Sequence, residues 1–230
     1  MGESKTVPVR DFHTHTTLSD GALTPVELLR RAVVNGYEAL GMADHSGAGS
    51  LERVLREAAA DCELARRHWG IVALPGVELT HVPAASIPDL AARARAAGAA
   101  FVVVHGESPV EPVEPGTNLA AASCADVDLL AHPGLLDEEA AAAAAENGVF
   151  LEITAKSGHS LGNGRVARLA LAADAKLLLS SDCHHPGELL TPEFARTVVL
   201  GAGLTDDEAT RVLEDNAKEF LHRCLDRVAI

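Results

Sequence analysis

The 230-residue chain is 47% hydrophobic but only 3% aromatic, so Ala, Val, Leu and Ile must fill a sizeable core. Lys and Arg total 19 against 33 Asp and Glu, a formal net charge of −14, which argues against non-specific binding to nucleic-acid phosphates. No apolar run reaches membrane-span length, Met1–Lys5 lacks the apolar segment of a secretory leader, and Cys62, Cys124, Cys183 and Cys224 form no C-x-x-C pair. A cytoplasmic protein with free thiols is the expectation.

The first strand is predicted over Val9-Arg-Asp-Phe-His-Thr-His15, followed by the turn Thr16 to Gly21. Side chains at i and i+2 share a strand face, so His13 and His15 project together. Thr24-Pro25-Val26-Glu27 opens a helix with the pattern of a capping box, and Asn35-Gly36 ends it. Ala39 to Ala43 reads as a buried strand ending at Asp44-His45, and Leu51 to Trp69 as a helix with one apolar side. Ile71 to Leu79 is a third strand, where Pro75-Gly76 predicts a bulge or bend.

A helix over Ile87–Ala97 leads to strand Phe101–His105, then a Pro-rich loop from Ser108 to Gly116 and a short helix near Leu119 to Ala125. Val127–His132 is strand five, stopped by Pro133-Gly134, and the alanine-rich run Asp137–Asn147 is a helix closed by Gly148. Val149–Thr154 is strand six, Arg165–Ala173 a helix, and Lys176–Asp182 strand seven; two more helices lie near 192–200 and 206–225. Seven β–α alternations with mostly continuous apolar strands describe a parallel sheet covered by helices. That pattern alone fits an open doubly wound sheet as well as a barrel.

The placement of His, Asp and Glu decides between them. His13 and His15 close strand one, His45 strand two, Glu78 strand three, His105 strand four, His132 strand five, and Asp182 with His184 strand seven. A barrel converges its strand ends on one mouth, whereas an open sheet spreads them along a crest. A single barrel domain over 1–230 is therefore expected, with a metal centre at the mouth. The acidic chain does not exclude an anionic substrate, because bound divalent cations dominate the local charge.

The motifs H-T-H-T-T-L-S-D-G (His13–Gly21), A-D-H (Ala43–His45), P-G-V-E (Pro75–Glu78), V-V-H-G (Val103–Gly106), A-H-P-G (Ala131–Gly134) and S-D-C-H (Ser181–His184) together resemble the PHP family, named for polymerase and histidinol phosphatase. The resemblance covers nearly the whole chain. It implies a distorted seven-stranded (β/α)7 TIM-like barrel whose trinuclear centre of Zn, Mn or Fe hydrolyses phosphoesters, with a metal-activated water as nucleophile. Residue by residue, it implies His13, His15, Glu78 and Asp182 around one ion, Glu78 bridging to a second held by His105 and His132, and Asp20, His45 and His184 around a third. Some members carry a histidine in the loop where this chain offers Asp20.

The rim after strand six offers Lys156, His159 and Arg165 as substrate-binding residues. Arg165 suits a bidentate phosphate contact, against the alternative of a solvated residue in a first helical turn. His81, three residues past Glu78, is read as facing the mouth or solvent, with solvent slightly favoured, and Glu152 as a carboxylate able to support a metal-bound histidine from behind. The leading expectation is a phosphomonoesterase acting on a small phosphorylated metabolite. Phosphodiester or cyclic-phosphate cleavage, a non-catalytic metal-binding accessory domain, and amidohydrolase chemistry are the alternatives; the last usually needs a lysine ligand on a middle strand, where none lies.

Overall fold

The structure, a computed structural model, describes residues 7–228; the stretch Met1–Lys5, read above for a leader, lies outside them. The strands are β1 (Arg10–Asp11), β2 (Ala39–Met42), β3 (His45–Ser46), β4 (Val72–Leu79), β5 (Phe101–His105), β6 (Leu129–Ala131), β7 (Phe150–Thr154) and β8 (Leu177–Ser180). All pairings are parallel, in the order β1-β2-β4-β5-β6-β7-β8, with β3 also on β4. Because β2 and β3 are two pieces of one broken strand, the result is a nearly closed barrel of seven parallel strands. Helices α1 (Pro25–Val34), α2 (Leu51–Trp69), α3 (Ile87–Ala96), α4 (Thr117–Ala122), α5 (Glu138–Asn147), α6 (Asn163–Ala173) and α7 (Pro192–Gly201) alternate with the strands. Helices α8 (Asp206–Thr210) and α9 (Ala217–Leu225) are joined by a π-helical stretch, Arg211–Asn216.

Strand one differs most from expectation. Only Arg10 and Asp11 pair regularly with β2, and on the other side the ladder is reduced to a single bridge, Thr14 to Cys183, just beyond β8. The His15 N–H donates to the Cys183 carbonyl at 2.8 Å, while Asp11 Oδ1 accepts from the Ser181 N–H at 3.1 Å. A side-chain carboxylate thus stands in for a missing rung, which frees the chain beyond Asp11 to turn its histidines inward.

Two cores flank the sheet. The outer one lies between strands and helices and is aliphatic. The inner one packs Phe12, Phe101 and Phe150 from the barrel against Phe220 of α9. The Phe220 ring centroid lies 4.7, 5.9 and 5.2 Å from those of Phe12, Phe101 and Phe150, within the range of favourable aromatic pairs. Four of the five phenylalanines therefore plug the end of the barrel where the strands begin. Gly76 does not bulge β4; a Cβ there would meet the Phe101 ring at 2.3 Å, so the glycine makes room for the plug. Thr24 precedes α1 without the side-chain cap expected of it, whereas Asp137 caps α5 by accepting from the Ala140 N–H.

Candidate metal centre

At the opposite end, where the strands finish, imidazoles and carboxylates converge. The His13 and His15 ring centroids are 5.0 Å apart, and His15 lies 4.2 Å from His184 and 4.3 Å from His45. Glu78 sits at the centre. Its Oε1 is 3.3 Å from His13 Nε2 and 3.8 Å from His132 Nε2, and its Oε2 is 2.5 Å from His45 Nδ1. Asp182 Oδ1 lies 3.1 Å from His15 Nε2, and Asp20 Oδ1 lies 3.3 Å from His184 Nε2 and 3.5 Å from His45 Nε2.

Five groups have ligand atoms close enough to share an ion, and three of them are made wholly of the expected residues: His13, His15 and Glu78; Glu78, His105 and His132; and His15, Asp20, His45 and His184. All nine residues expected at the mouth are brought together there. Two of them reach it on strained backbone: Asp182 is in the left-handed region with φ 52°, as His132 is with φ 26°. Such backbone costs on the order of 1–3 kcal/mol per residue and persists where its surroundings enforce it.

Further residues hold these in place. Glu152 accepts from His13 Nδ1 at 2.8 Å and from the His132 N–H at 2.8 Å. The His105 Nδ1–H donates to the Gly106 carbonyl and the His184 Nδ1–H to the Asp182 carbonyl, so these rings, like His13, turn a free Nε2 inward. Lys156 Nζ also lies 3.0 Å from His184 Nδ1, a contact that requires the other tautomer, and is held by Glu188 at 3.2 Å. Asp44, not singled out from the sequence, accepts from the N–H and hydroxyl groups of both Thr16 and Ser19. That clamp presents Asp20. Gly21 completes the turn, since a Cβ there would stand 2.3 Å from the His15 carbonyl oxygen.

The electrostatics are those of a site built for cations. Burial disfavours the charged His13 imidazole, but the Glu152, Glu78 and Asp182 carboxylates outweigh it and hold the group well above its ordinary pKa. Burial likewise opposes charge at His45, and Glu78 overcomes it, to about 9. His15 and His132 go the other way, pushed well down by burial and neighbouring imidazoles. Burial raises the Glu78 carboxyl, yet His45, His13 and His105 pull it well below the carboxylate range, while burial carries Asp182 well above it.

The donor set fits divalent ions on an observation independent of spacing. Six buried atoms of the centre, His13 Nε2, His15 Nδ1 and Nε2, Glu78 Oε1, His132 Nδ1 and Asp182 Oδ1, make no aligned hydrogen bond, although some lie 3.1 or 3.3 Å from one another. Leaving such a group unpaired costs about 1–3 kcal/mol. Of the rim residues, His159 is buried with Nδ1 2.6 Å from Ser108 Oγ and its ring 4.2 Å from that of His132. Arg165 is not brought to the centre; its Nε donates to the Leu136 carbonyl at 2.5 Å and braces the loop after β6. One residue of the mouth escaped sequence reasoning, Glu111 of the Pro-rich loop, whose carboxylate lies 3.1 Å from His81 and 3.0 Å from His105; His81 stands at the rim, facing both solvent and the mouth.

No family model matches the chain. It is 45% identical over 214 residues to an uncharacterized protein of Methanocaldococcus jannaschii, covering 93% of this chain and 98% of that one. It is 34% identical over 82 residues to the 5'-3' exoribonuclease Rnm of Escherichia coli, covering 36% of this chain and 26% of the relative. It is 44% identical over 70 residues to the 3',5'-nucleoside bisphosphate phosphatase of Chromobacterium violaceum, covering 30% of this chain and 22% of that protein. The chain thus spans about a quarter of these two enzymes. The fold matches histidinol phosphate phosphatase from Lactococcus lactis with a TM-score of 0.60 at 15% identity, covering 85% of this chain and 94% of that one. With these relatives, the barrel and the ordered motifs at its mouth, the chain belongs to the PHP family of phosphoesterases.

Proposed function

We propose that the chain hydrolyses a small phosphomonoester with three divalent ions held by His13, His15, Glu78 and Asp182; by Glu78, His105 and His132; and by Asp20, His45 and His184. The observation that carries this is the set of unpartnered buried nitrogen and oxygen atoms in the centre, one ring nitrogen of each histidine and the carboxylate oxygens among them being able to ligate cations. The chemistry such ions supply is polarisation of phosphoryl oxygens and activation of a water molecule as nucleophile.

The chain's own residues do the positioning. Glu78 directs one oxygen toward His13 and His132 and the other toward His45, the disposition of a bridging carboxylate. Thr80 donates to Glu78 Oε2 at 2.9 Å and fixes its plane. Glu152 fixes the His13 ring from behind. An open cleft of about 420 Å³ beside Asp20, His45, Thr80 and His81 has the size of a small-molecule site. Lys156, beside His184, and His159, beside His132, are the residues we assign to the substrate's oxygens. Arg165 acts on the site only through the Leu136 loop. A reducing, cytoplasmic setting goes with the four unbridged cysteines.

The test is a screen of phosphorylated metabolites, with mono- and diester chromogenic substrates alongside, on protein whose metal content has been measured. Monoester turnover that is lost on chelation and restored by Zn, Mn or Fe is expected. Metal-loaded protein inert toward every phosphoester would leave a binding domain without turnover; preference for the diester would overturn the monoester assignment.

A further inference from the structure

Beyond the three donor sets and the His13, His132 and Glu152 group behind them, one further group of donors stands. On the rim beside the second set, Glu111 Oε2 lies 3.0 Å from His105 Nε2 and 3.1 Å from His81 Nε2, and its Oε1 lies 3.4 Å from His159 Nε2. Donors bound at about 2.0–2.1 Å to a tetrahedral ion stand roughly 3.3–3.4 Å from one another. The Glu111, His81 and His105 atoms are thus nearly at the separations of a coordination shell.

The arrangement is built, not draped. The loop carrying Glu111 is pinned at its ends, where Glu107 accepts from the Gly116 and Asn118 N–H groups, and the Ser108 hydroxyl is tied to His159. His81 has φ 52°, the same left-handed backbone as Asp182 in the centre. The other non-glycine residues of this kind among those described are His132, also in the centre, and Asp174, which ends α6.

We propose that His81, His105 and Glu111 form a fourth cation site at the rim, from which a divalent ion passes inward to the Glu78–His105–His132 set through the shared His105. This inference rests on the metal reading above. His105 Nδ1 is committed to the Gly106 carbonyl, so its single free lone pair on Nε2 serves either the rim site or the inner set, not both at once. Glu78, His105 and His132 are buried, whereas the side chains of His81 and Glu111 are 39% and 37% exposed. An ion entering from water meets His81 and Glu111 first, exchanges hydration for their donors, and moves along His105. His159, facing the other Glu111 oxygen, holds the carboxylate in register.

The test is the rate at which metal-stripped full-length protein takes up Zn²⁺, followed by stopped flow against a chromogenic chelator, in wild type, His81→Asn and Glu111→Gln. Both side chains are partly exposed, so both variants are expected to fold; circular dichroism checks this. Uptake in each is expected to slow on the order of tenfold, the size of effect seen when groups supporting a metal site are removed, while the number of ions finally bound equals that of wild type. Wild-type uptake rates in both folded variants would overturn the inference. A lower final ion count would overturn the transfer role, making these residues permanent ligands. Wild-type protein that takes up no ion at all would overturn the metal reading and this inference with it.

Discussion

The two ends of the barrel are built on opposite principles. Where the strands begin, four phenyl rings fill the interior among apolar neighbours, with Arg223 and Lys176 covering the outer face of Phe150. Where they finish, nine residues offer nitrogen and oxygen atoms in a space buried at His13, His15 and Glu78 and opening to solvent at Asp20, and several of the buried atoms lack partners. Left-handed backbone at His81, His132 and Asp182 adds cost at the mouth, while the aromatic plug adds stability at the floor. One end lowers the energy of the fold and the other spends part of that gain to keep donors exposed to one another. The contrast says that substitutions at the floor move stability alone, and substitutions at the mouth move metal binding first.

The largest expected effect that would break this contrast is at Glu78. Glu78→Gln replaces a carboxylate shared between donor sets by a neutral amide and is expected to abolish phosphoester turnover with at least one ion lost per chain. Elemental analysis and steady-state kinetics check it; a fully loaded, active variant would show that Glu78 does not bridge. Phe220→Ala is expected to lower unfolding free energy by about 3–5 kcal/mol, as for other buried phenylalanines, without altering ion count in the folded protein. Urea denaturation with parallel metal analysis checks it.

Next in size is Glu152→Gln, expected to weaken metal affinity by about 10- to 100-fold, because Glu152 orients both His13 and the His132 backbone. Competition against a chelator of known affinity reads this. Asp182→Asn sharpens the contrast in sign. Burial raises the Asp182 carboxyl well above its usual range in the metal-free protein, so the folded state binds a proton more tightly than the unfolded one. Metal-free stability is then lost as pH climbs from the ordinary carboxylate range toward the folded value. The variant, which has no charge to bury, is expected to melt higher than stripped wild type at neutral pH, by a margin that vanishes in acid, while losing metal. Thermal melts across pH check it. The smallest effect is at Arg165, where Ala removes a charge-assisted bond to the Leu136 carbonyl and is expected to cost about 1.5 kcal/mol or more of stability with ion count unchanged.

Much of this was legible in the residues themselves. Strand ends follow from short apolar runs, and β–α alternation places them on one rim, so His45, Glu78, His105 and His132 were readable as neighbours. Glu152 was readable too, because a carboxylate inside a barrel strand needs a buried partner, and His13 supplies it. What was not legible depends on where loops turn. Glu111 sits in a Pro-rich segment without periodicity, and its direction is set by Glu107 and Asn118 in the fold. Arg165 was misplaced in expectation for the same reason: the Leu136 carbonyl that captures it lies 29 residues away. The backbone signs at Asp182 and His132 leave no mark in residue type, since neither is glycine.

The seam between the first and last strands carries a further consequence, one of timing. Asp11 and Ser181 are 170 residues apart, and their bond helps close the ring. At ribosomal rates of about 5–20 residues per second, the nascent chain carries its first strand for roughly 10–30 s before the last can meet it. The β1 edge stays open through that interval, a template for wrong pairing. Its brevity, two regular rungs ending in a charged side chain, is what makes the wait safe.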